Sequence, residues 1–275
     1  MNTKYIFFDI DGTLMDGKGY VYTSTSTSLR KLQENGHKLF VATGRCLAEV
    51  PKKILDIGFQ GMILGNGSYI QYNNTLVFHQ LMDKDNVIAL GRKLEEHNAA
   101  VFFSAKDFCY IRKSTGEHFT KMIQDNPKAL GFWNEFLEVT KIFTSLEELK
   151  DKNIEKVNYH GFQGSVEELR RDFGDYFHFI PSSAPSSSVI GSGEVSNNGI
   201  NKAEGVKTLL KFLGKEDEPY IAFGDGYNDV EMLQSAHIGI AMGNGVEILK
   251  ENADIVTASV SDDGIYKALT QLELL

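Results

Sequence analysis

Short apolar runs, each stopped by glycine or by an acidic or polar turn, recur along this chain and limit what it can fold into. Tyr5-Ile-Phe-Phe runs into Asp9, Lys38-Leu-Phe-Val-Ala42 into Thr43-Gly-Arg45, and Gly61-Met-Ile-Leu64 into Gly65-Asn-Gly67. Near the C-terminus Tyr220-Ile-Ala-Phe223 meets Gly224-Asp225-Gly226, Ile238-Gly-Ile-Ala-Met242 meets Gly243-Asn-Gly245, and Asp254-Ile-Val-Thr257 precedes a polar stretch. Nearly continuous apolar strands mark a parallel sheet buried on both faces. Helical patterns lie between them. The run Thr23 to Ser28 is expected to cap a helix starting near Leu29, and Gly36 to stop it. Residues 201–213 carry apolar side chains at 203, 206, 209, 210 and 213, a helical stripe, and Asp229 to Ala236 reads as a shorter helix. The expected fold class is α/β with a doubly wound parallel-sheet (Rossmann-like) core. Such sheets bind ligands beyond the carboxyl ends of their strands.

The middle of the chain has a different character. Asp83 reads as the cap of a helix reaching His97, and Ala100–Phe103 with Phe108–Ile111 reads as a hairpin. Glu155 to Phe162 alternates loosely, as an antiparallel strand does. Ser165 to Phe173 is a further helix, and Pro181-Ser-Ser-Ala-Pro185 is a hinge candidate. This block, 82–184, is expected to be an α+β domain inserted into a core made of 1–81 and 185–275. Neither G-x-G-x-x-G at a strand–helix turn nor G-x-x-x-x-G-K-[ST] occurs, so dinucleotide and P-loop nucleotide binding lack support.

Charge and cysteine usage narrow the partners. A net charge of −9 argues against nucleic acid or an anionic membrane as partner. Two distant cysteines, Cys46 and Cys109, form no Cys-x-x-Cys pair and read as reduced thiols of a cytoplasmic protein. The apolar stretch before Asp9 is too short for the core of a signal peptide, and no run approaches a membrane span. The sequons at Asn66 and Asn73 read as chance matches. The oligomeric state is left open.

The chemistry concentrates in four segments. In Asp9-Ile-Asp11-Gly-Thr13, acids two apart point to one side of an extended chain. Two carboxylates there can bind a hard metal and supply a nucleophile and a proton shuttle. Thr43-Gly44-Arg45 puts a hydroxyl at a strand end beside a glycine that lets backbone N–H groups approach an anion. Lys202 opens a helix between the inserted block and the last strands. Asp225 follows a buried strand, and Asp229, four residues on, shares its face if a helix begins there.

In this order and spacing the four segments resemble the signature of the haloacid dehalogenase superfamily of phosphohydrolases, and within it the Cof-type branch, whose large cap is inserted between the second and third motifs. The resemblance covers essentially the whole chain. Asn201 stands before the motif lysine, where the branch often has a small residue. The resemblance implies that Asp9 is the nucleophile, forming an aspartyl-phosphate, and that Asp11 protonates the leaving oxygen and later deprotonates water. It implies Mg2+ held by the Asp9 carboxylate, the Asp11 backbone carbonyl and Asp225. Lys202, the Thr43 hydroxyl, the Gly44 N–H and Asn228 would meet the phosphate. Asp229 would orient Lys202 or a metal-bound water, Thr13 would steady the loop, and Gly12 would permit its turn. A purely structural role stands beside the functional one for Asp229, Asn228 and Thr13. Arg45 reads equally as a substrate contact or a structural ion pair, and Asn66 as turn chemistry.

The implied activity is a Mg2+-dependent phosphomonoesterase acting on small phosphorylated metabolites, such as sugar phosphates or phosphorylated cofactors. Two other readings stand beside it. One is a phosphotransferase or phosphomutase on the same scaffold. The other is a non-catalytic module that binds phosphorylated metabolites, against which the nucleophile Asp9 speaks, because binding alone needs none.

Overall fold

A computed structural model describes residues 3–125, 136–182 and 191–275. The chain divides into two compact units, one of residues 1–44, 50–79 and 201–275, the other of 45–49 and 80–200.

In the first unit, strands β1 (Tyr5–Phe8), β2 (Lys38–Ala42), β3 (Gly61–Leu64), β4 (Tyr69–Tyr72) and β5 (Thr75–His79) are followed, after the second unit, by β12 (Tyr220–Gly224), β13 (Ile238–Ala241) and β14 (Ile255–Val256). They form one eight-stranded sheet in the order β14-β13-β12-β1-β2-β3-β4-β5. The first six in that order are parallel, as their apolar runs predict, and β4–β5 is an antiparallel extension. Phe7, Phe40, Ile63 and Ala222 of the sheet are packed with Val206, Leu209 and Leu210 of the helix Lys202–Phe212. That helix uses the apolar positions expected of it. Tyr220 at the start of β12 meets the Phe7 ring edge-on, with centroids 5.4 Å apart.

Two local expectations are corrected. The helix expected near Leu29 begins at Thr23, so the Ser/Thr run forms its first turns instead of a cap. Ser26 Oγ donates to the Tyr22 carbonyl four residues back, a bond that lets hydroxyl residues sit inside a helix. The β4–β5 hairpin was not expected. Asn73 and Asn74, read above as a chance sequon, are its two-residue turn, both at positive φ, a conformation asparagine tolerates. Asn35 and Gly36 end the Thr23–Glu34 helix, Gly36 with φ 83°.

The second unit carries β6 (Ala100–Ala105), β7 (Cys109–Arg112), β8 (Thr140–Phe143), β9 (Ile154–His160), β10 (Phe177–Pro181) and β11 (Gly193–Asn197), in the order β10-β11-β9-β6-β7-β8. Its helices Lys84–Glu96 and Val166–Phe173 are capped by Asp83 and Ser165, whose side chains accept N–H groups of the first turn. Their apolar faces join Val101, Phe103, Val157, Tyr159 and Val195 in one core. The expected boundary at 184/185 is displaced. Strand β11 pairs with β10 and β9, which draws the chain as far as residue 200 into this unit, and residues 45–49 join it as well. The greater part of the hinge candidate, residues 183–185, lies outside the described residues. Phe136 packs edge-on against Phe102. No helix among the described residues is long and apolar enough to cross a membrane.

Candidate active site

The carboxyl ends of β1 and β12 bring the first and fourth motifs together. The Asp9 N–H donates to the Phe223 carbonyl at 3.0 Å, extending the β1–β12 pairing one residue past the end of β1. Asp9 is therefore fixed beside Gly224 and Asp225. Lys202 is the first residue of its helix, where a cation opposes the helix dipole. Asn201 offsets part of that cost as the N-cap, its side chain accepting the Glu204 N–H at 2.8 Å.

Lys202 is fully buried, and its Nζ lies 2.7 Å from Asp9 Oδ1 and 2.6 Å from Asp229 Oδ1. Asp229 is equally buried. Its Oδ2 accepts the backbone N–H groups of Asp225 at 3.0 Å and Gly226 at 2.9 Å. One carboxylate thus aims the lysine and folds the loop that carries Asp225. Glycine at 224 is required for this, because a Cβ there would lie 2.5 Å from the Asp229 carboxyl carbon.

Thr13 and Gly12 complete the junction. The Thr13 hydroxyl donates to Asp225 Oδ1 at 3.1 Å. Gly12 has φ 80°, and a Cβ on it would sit 2.0 Å from Asp225 Oδ2. Both backbone conformation and space therefore demand glycine beside that carboxylate. Asn244, in the turn after β13, donates to the Gly12 carbonyl at 2.9 Å and accepts the Val260 N–H at 2.8 Å. Sequence reasoning noted this Gly-Asn-Gly turn but assigned Asn244 no part. Its signal was an asparagine between two glycines at a strand's carboxyl end.

The second motif is anchored to its own neighbours. Thr43 is buried, its N–H donates to the Ile63 carbonyl, and its carbonyl accepts the Asn66 N–H at 3.0 Å. Asn66 is buried in the left-handed region with φ 58°, and its Oδ1 accepts the Asn228 amide at 3.0 Å. Asn228, expected at the phosphate, thus ties the fourth-motif loop to the third strand's end. Gly44 is buried, and Arg45 donates to the Glu49 carbonyl at 2.6 Å.

Carboxylate oxygens of Asp9, Asp225 and Asp229 lie within 4.8 Å of one another. Asp11 is exposed and its carboxylate is not in that group; its backbone forms a bridge to Met15. Burial, reinforced by the charges of Asp229 and Asp11 and opposed by Lys202, pushes the Asp9 carboxyl up to about 7. Burial, then Asp9 and Asp229, likewise raise Asp225 well above the usual carboxylate range. For Lys202 burial works against the ammonium, but Asp229 and Asp9 outweigh it and hold its pKa above the ordinary value. Three carboxylates around one ammonium leave negative charge in excess, and a further cation fits there. The donor set is all oxygen, which suits a hard ion such as Mg2+. Both Asp229 oxygens are engaged, so Asp9 and Asp225 are the carboxylates that could hold it.

The family model for haloacid dehalogenase-like hydrolases matches residues 6–269. The chain is 29% identical to the putative phosphatase YkrA of Bacillus subtilis (strain 168) over 285 residues, covering all of both chains. It is 28% identical to the 5-amino-6-(5-phospho-D-ribitylamino)uracil phosphatase YcsE of the same organism, over 98% of this chain and 95% of that one. Among solved structures, the HAD subclass IIB sugar phosphatase BT4131 superposes with a TM-score of 0.80 at 27% identity, covering 99% of this chain and 100% of the other.

Proposed function

The chain belongs to the haloacid dehalogenase-like hydrolases, a phosphatase of their Cof-type branch, and from that premise we propose that it is a Mg2+-dependent phosphomonoesterase of the cytoplasm that releases phosphate from small phosphorylated metabolites. The observation that supports this most is the buried Lys202 clamped between Asp9 and Asp229. A site for binding alone has no use for a nucleophilic carboxylate held 2.7 Å from a buried ammonium.

Asp9 attacks phosphorus in line, and the bond to the leaving oxygen breaks as the aspartyl-phosphate forms. Asp11, on the exposed side of the turn, gives its proton to that oxygen and then takes one from the water that attacks phosphorus, as the bond from phosphorus to the Asp9 carboxylate breaks and phosphate is freed. Lys202, the Thr43 hydroxyl and the Gly44 N–H receive the phosphoryl charge, acting through position and electrostatics. Asp229 keeps Lys202 aimed at Asp9, and Thr13 keeps Asp225 turned toward the same point. Mg2+, held by the Asp9 and Asp225 carboxylates and the Asp11 carbonyl, would neutralise the charge between the nucleophile and an anionic ester.

Relatives named as a sugar phosphatase and as a phosphatase of a ribityl-bearing ester support small phosphorylated metabolites as substrates. The test is phosphate release from a panel of sugar phosphates, polyol phosphates and phosphorylated cofactors, with Mg2+ and with EDTA. Mg2+-dependent release is expected. A phosphorylated acceptor formed without free phosphate would instead identify a transferase, and tight binding without turnover a regulatory module.

A further inference from the structure

The face of the second unit's sheet that carries its helices holds a cavity of about 180 Å³, and none of the residues lining it belongs to the acidic site. Tyr159, Gly193 and Pro181 stand abreast on β9, β11 and β10. Alternation puts them on the same side as Val157, Phe179 and Val195, which point into the apolar core. A Cβ on Gly193 would lie 2.7 Å from the Ile180 carbonyl oxygen and 2.8 Å from the Tyr159 hydroxyl oxygen. Glycine there lets the Tyr159 ring lean over β11, so that its hydroxyl reaches toward β10, whose Ile180 and Pro181 line the cavity. Val166 and Arg170, four apart on the helix Val166–Phe173, form one wall, and Ser192 stands in another.

The polar side chains here are donors short of acceptors. Tyr159 is 2% exposed, and its hydroxyl makes no hydrogen bond among the described residues. A buried polar group without a partner calls for an explanation. Arg170 is exposed and forms no ion pair among the described residues. Its positive charge still reaches Tyr159, where it opposes the upward push of burial on the phenol's pKa. The neighbouring acid Glu167 accepts from the Ser165 hydroxyl. Ser192 Oγ accepts the Gly161 N–H at 3.3 Å, which leaves its own proton to donate. No acid among the described residues lines the cavity.

We infer that this cavity is a binding site for a small carboxylic acid whose apolar body is about the size of one aromatic ring. It would hold that ligand whether or not the chain is a phosphomonoesterase. A carboxylate can take two parallel N–H bonds from a guanidinium and keeps lone pairs for Tyr159 and Ser192. An amine would meet Arg170 charge against charge, and a neutral alcohol would leave the guanidinium to water. Val166, Phe179 and Pro181 offer apolar contact that inorganic phosphate cannot use. Size sets the limit, since a cavity of about 150 Å³ takes up benzene.

The experiment titrates the full chain in EDTA with benzoate, benzyl alcohol and inorganic phosphate, by isothermal calorimetry. Saturable binding of benzoate to a single site is expected, at least about tenfold tighter than that of benzyl alcohol or phosphate, the scale of one hydrogen bond to a charged group. Arg170→Gln exchanges two good helix formers at an exposed position and should weaken benzoate about tenfold to a hundredfold. Tyr159→Phe removes only the hydroxyl and should weaken it about threefold to tenfold. The inference is overturned if benzoate does not saturate, if benzyl alcohol or phosphate binds as tightly, or if both variants bind benzoate as wild type does. Phosphate release from the ester panel is scored separately and decides only the phosphomonoesterase reading.

Discussion

Asp229→Asn isolates the residue that joins the lysine to the acidic loop. The substitution is nearly isosteric. Its Oδ1 can still accept the N–H groups of Asp225 and Gly226, now 3.0 and 2.9 Å from Asp229 Oδ2. The amide nitrogen then faces Lys202 Nζ across the former 2.6 Å contact, donor against donor. Breaking a buried ion pair by removing one partner costs about 3–5 kcal/mol. Lys202 keeps Asp9 at 2.7 Å, and Asp9 and Asp225 lose a repelling neighbour, so the expected loss lies lower, at about 2–3 kcal/mol. Domains are stable by about 5–15 kcal/mol, so the variant should fold. Urea unfolding followed by far-UV circular dichroism, at pH 8 in EDTA, should show a lower midpoint with an unchanged slope. The kcat should fall about a hundredfold or more, because an ångström of misplacement at a reacting centre has that effect. A midpoint and kcat both equal to wild type would refute the idea that Asp229 positions Lys202.

Other expectations follow from the same geometry. Gly12→Ala must adopt a positive φ and push a Cβ into Asp225, so kcat should drop about a hundredfold or more while far-UV dichroism stays unchanged. Mg2+ at about a hundred times its dissociation constant should stabilise wild type by about 2.7 kcal/mol; thermal melts should show that gain, and Asp225→Asn should lose most of it. His160 is held down to about 4 by burial, with His118 adding to the effect and Glu194 opposing it. Its folded pKa lies below its unfolded value of 6.5, so the unfolded chain binds more protons and stability should rise with pH between about 4 and 6.5. The gain should be on the order of 2–3 kcal/mol. His160→Phe, kept apolar among the rings of Phe102 and Phe119, should flatten that rise in urea midpoints.

Much of this molecule is readable from its residues because a parallel sheet buried on both faces leaves little choice at each strand. Tyr5–Phe8, Lys38–Ala42 and Tyr220–Gly224 are apolar enough to be strands and nothing else. The side chains that interrupt them, Asp9, Thr43 and Asp225, therefore stand at the strand ends. Lys202 was harder to read, since a lysine opening a helix is ordinarily solvated. The family resemblance, and not the residue alone, implied its place at the phosphate; the structure adds its burial against Asp9 and Asp229. The β4–β5 hairpin escaped notice because its turn, Asn73-Asn74, lacks the glycine that usually announces positive φ. Asn244 escaped, and Asn66 was read only as turn chemistry, because their partners, the Gly12 carbonyl and the Asn228 amide, lie far away in sequence.

The central claim is that Asp9 is the nucleophile of a phosphate-releasing site, and steady-state phosphate release by wild type and Asp9→Asn tests it most directly. Both proteins are compared in Mg2+, on the best ester of the panel, with circular dichroism to show that both are folded. Wild type should turn over continuously, and Asp9→Asn should be slower by at least about a thousandfold, as for other enzymes stripped of their nucleophile. Turnover by folded Asp9→Asn near the wild-type rate would contradict the claim.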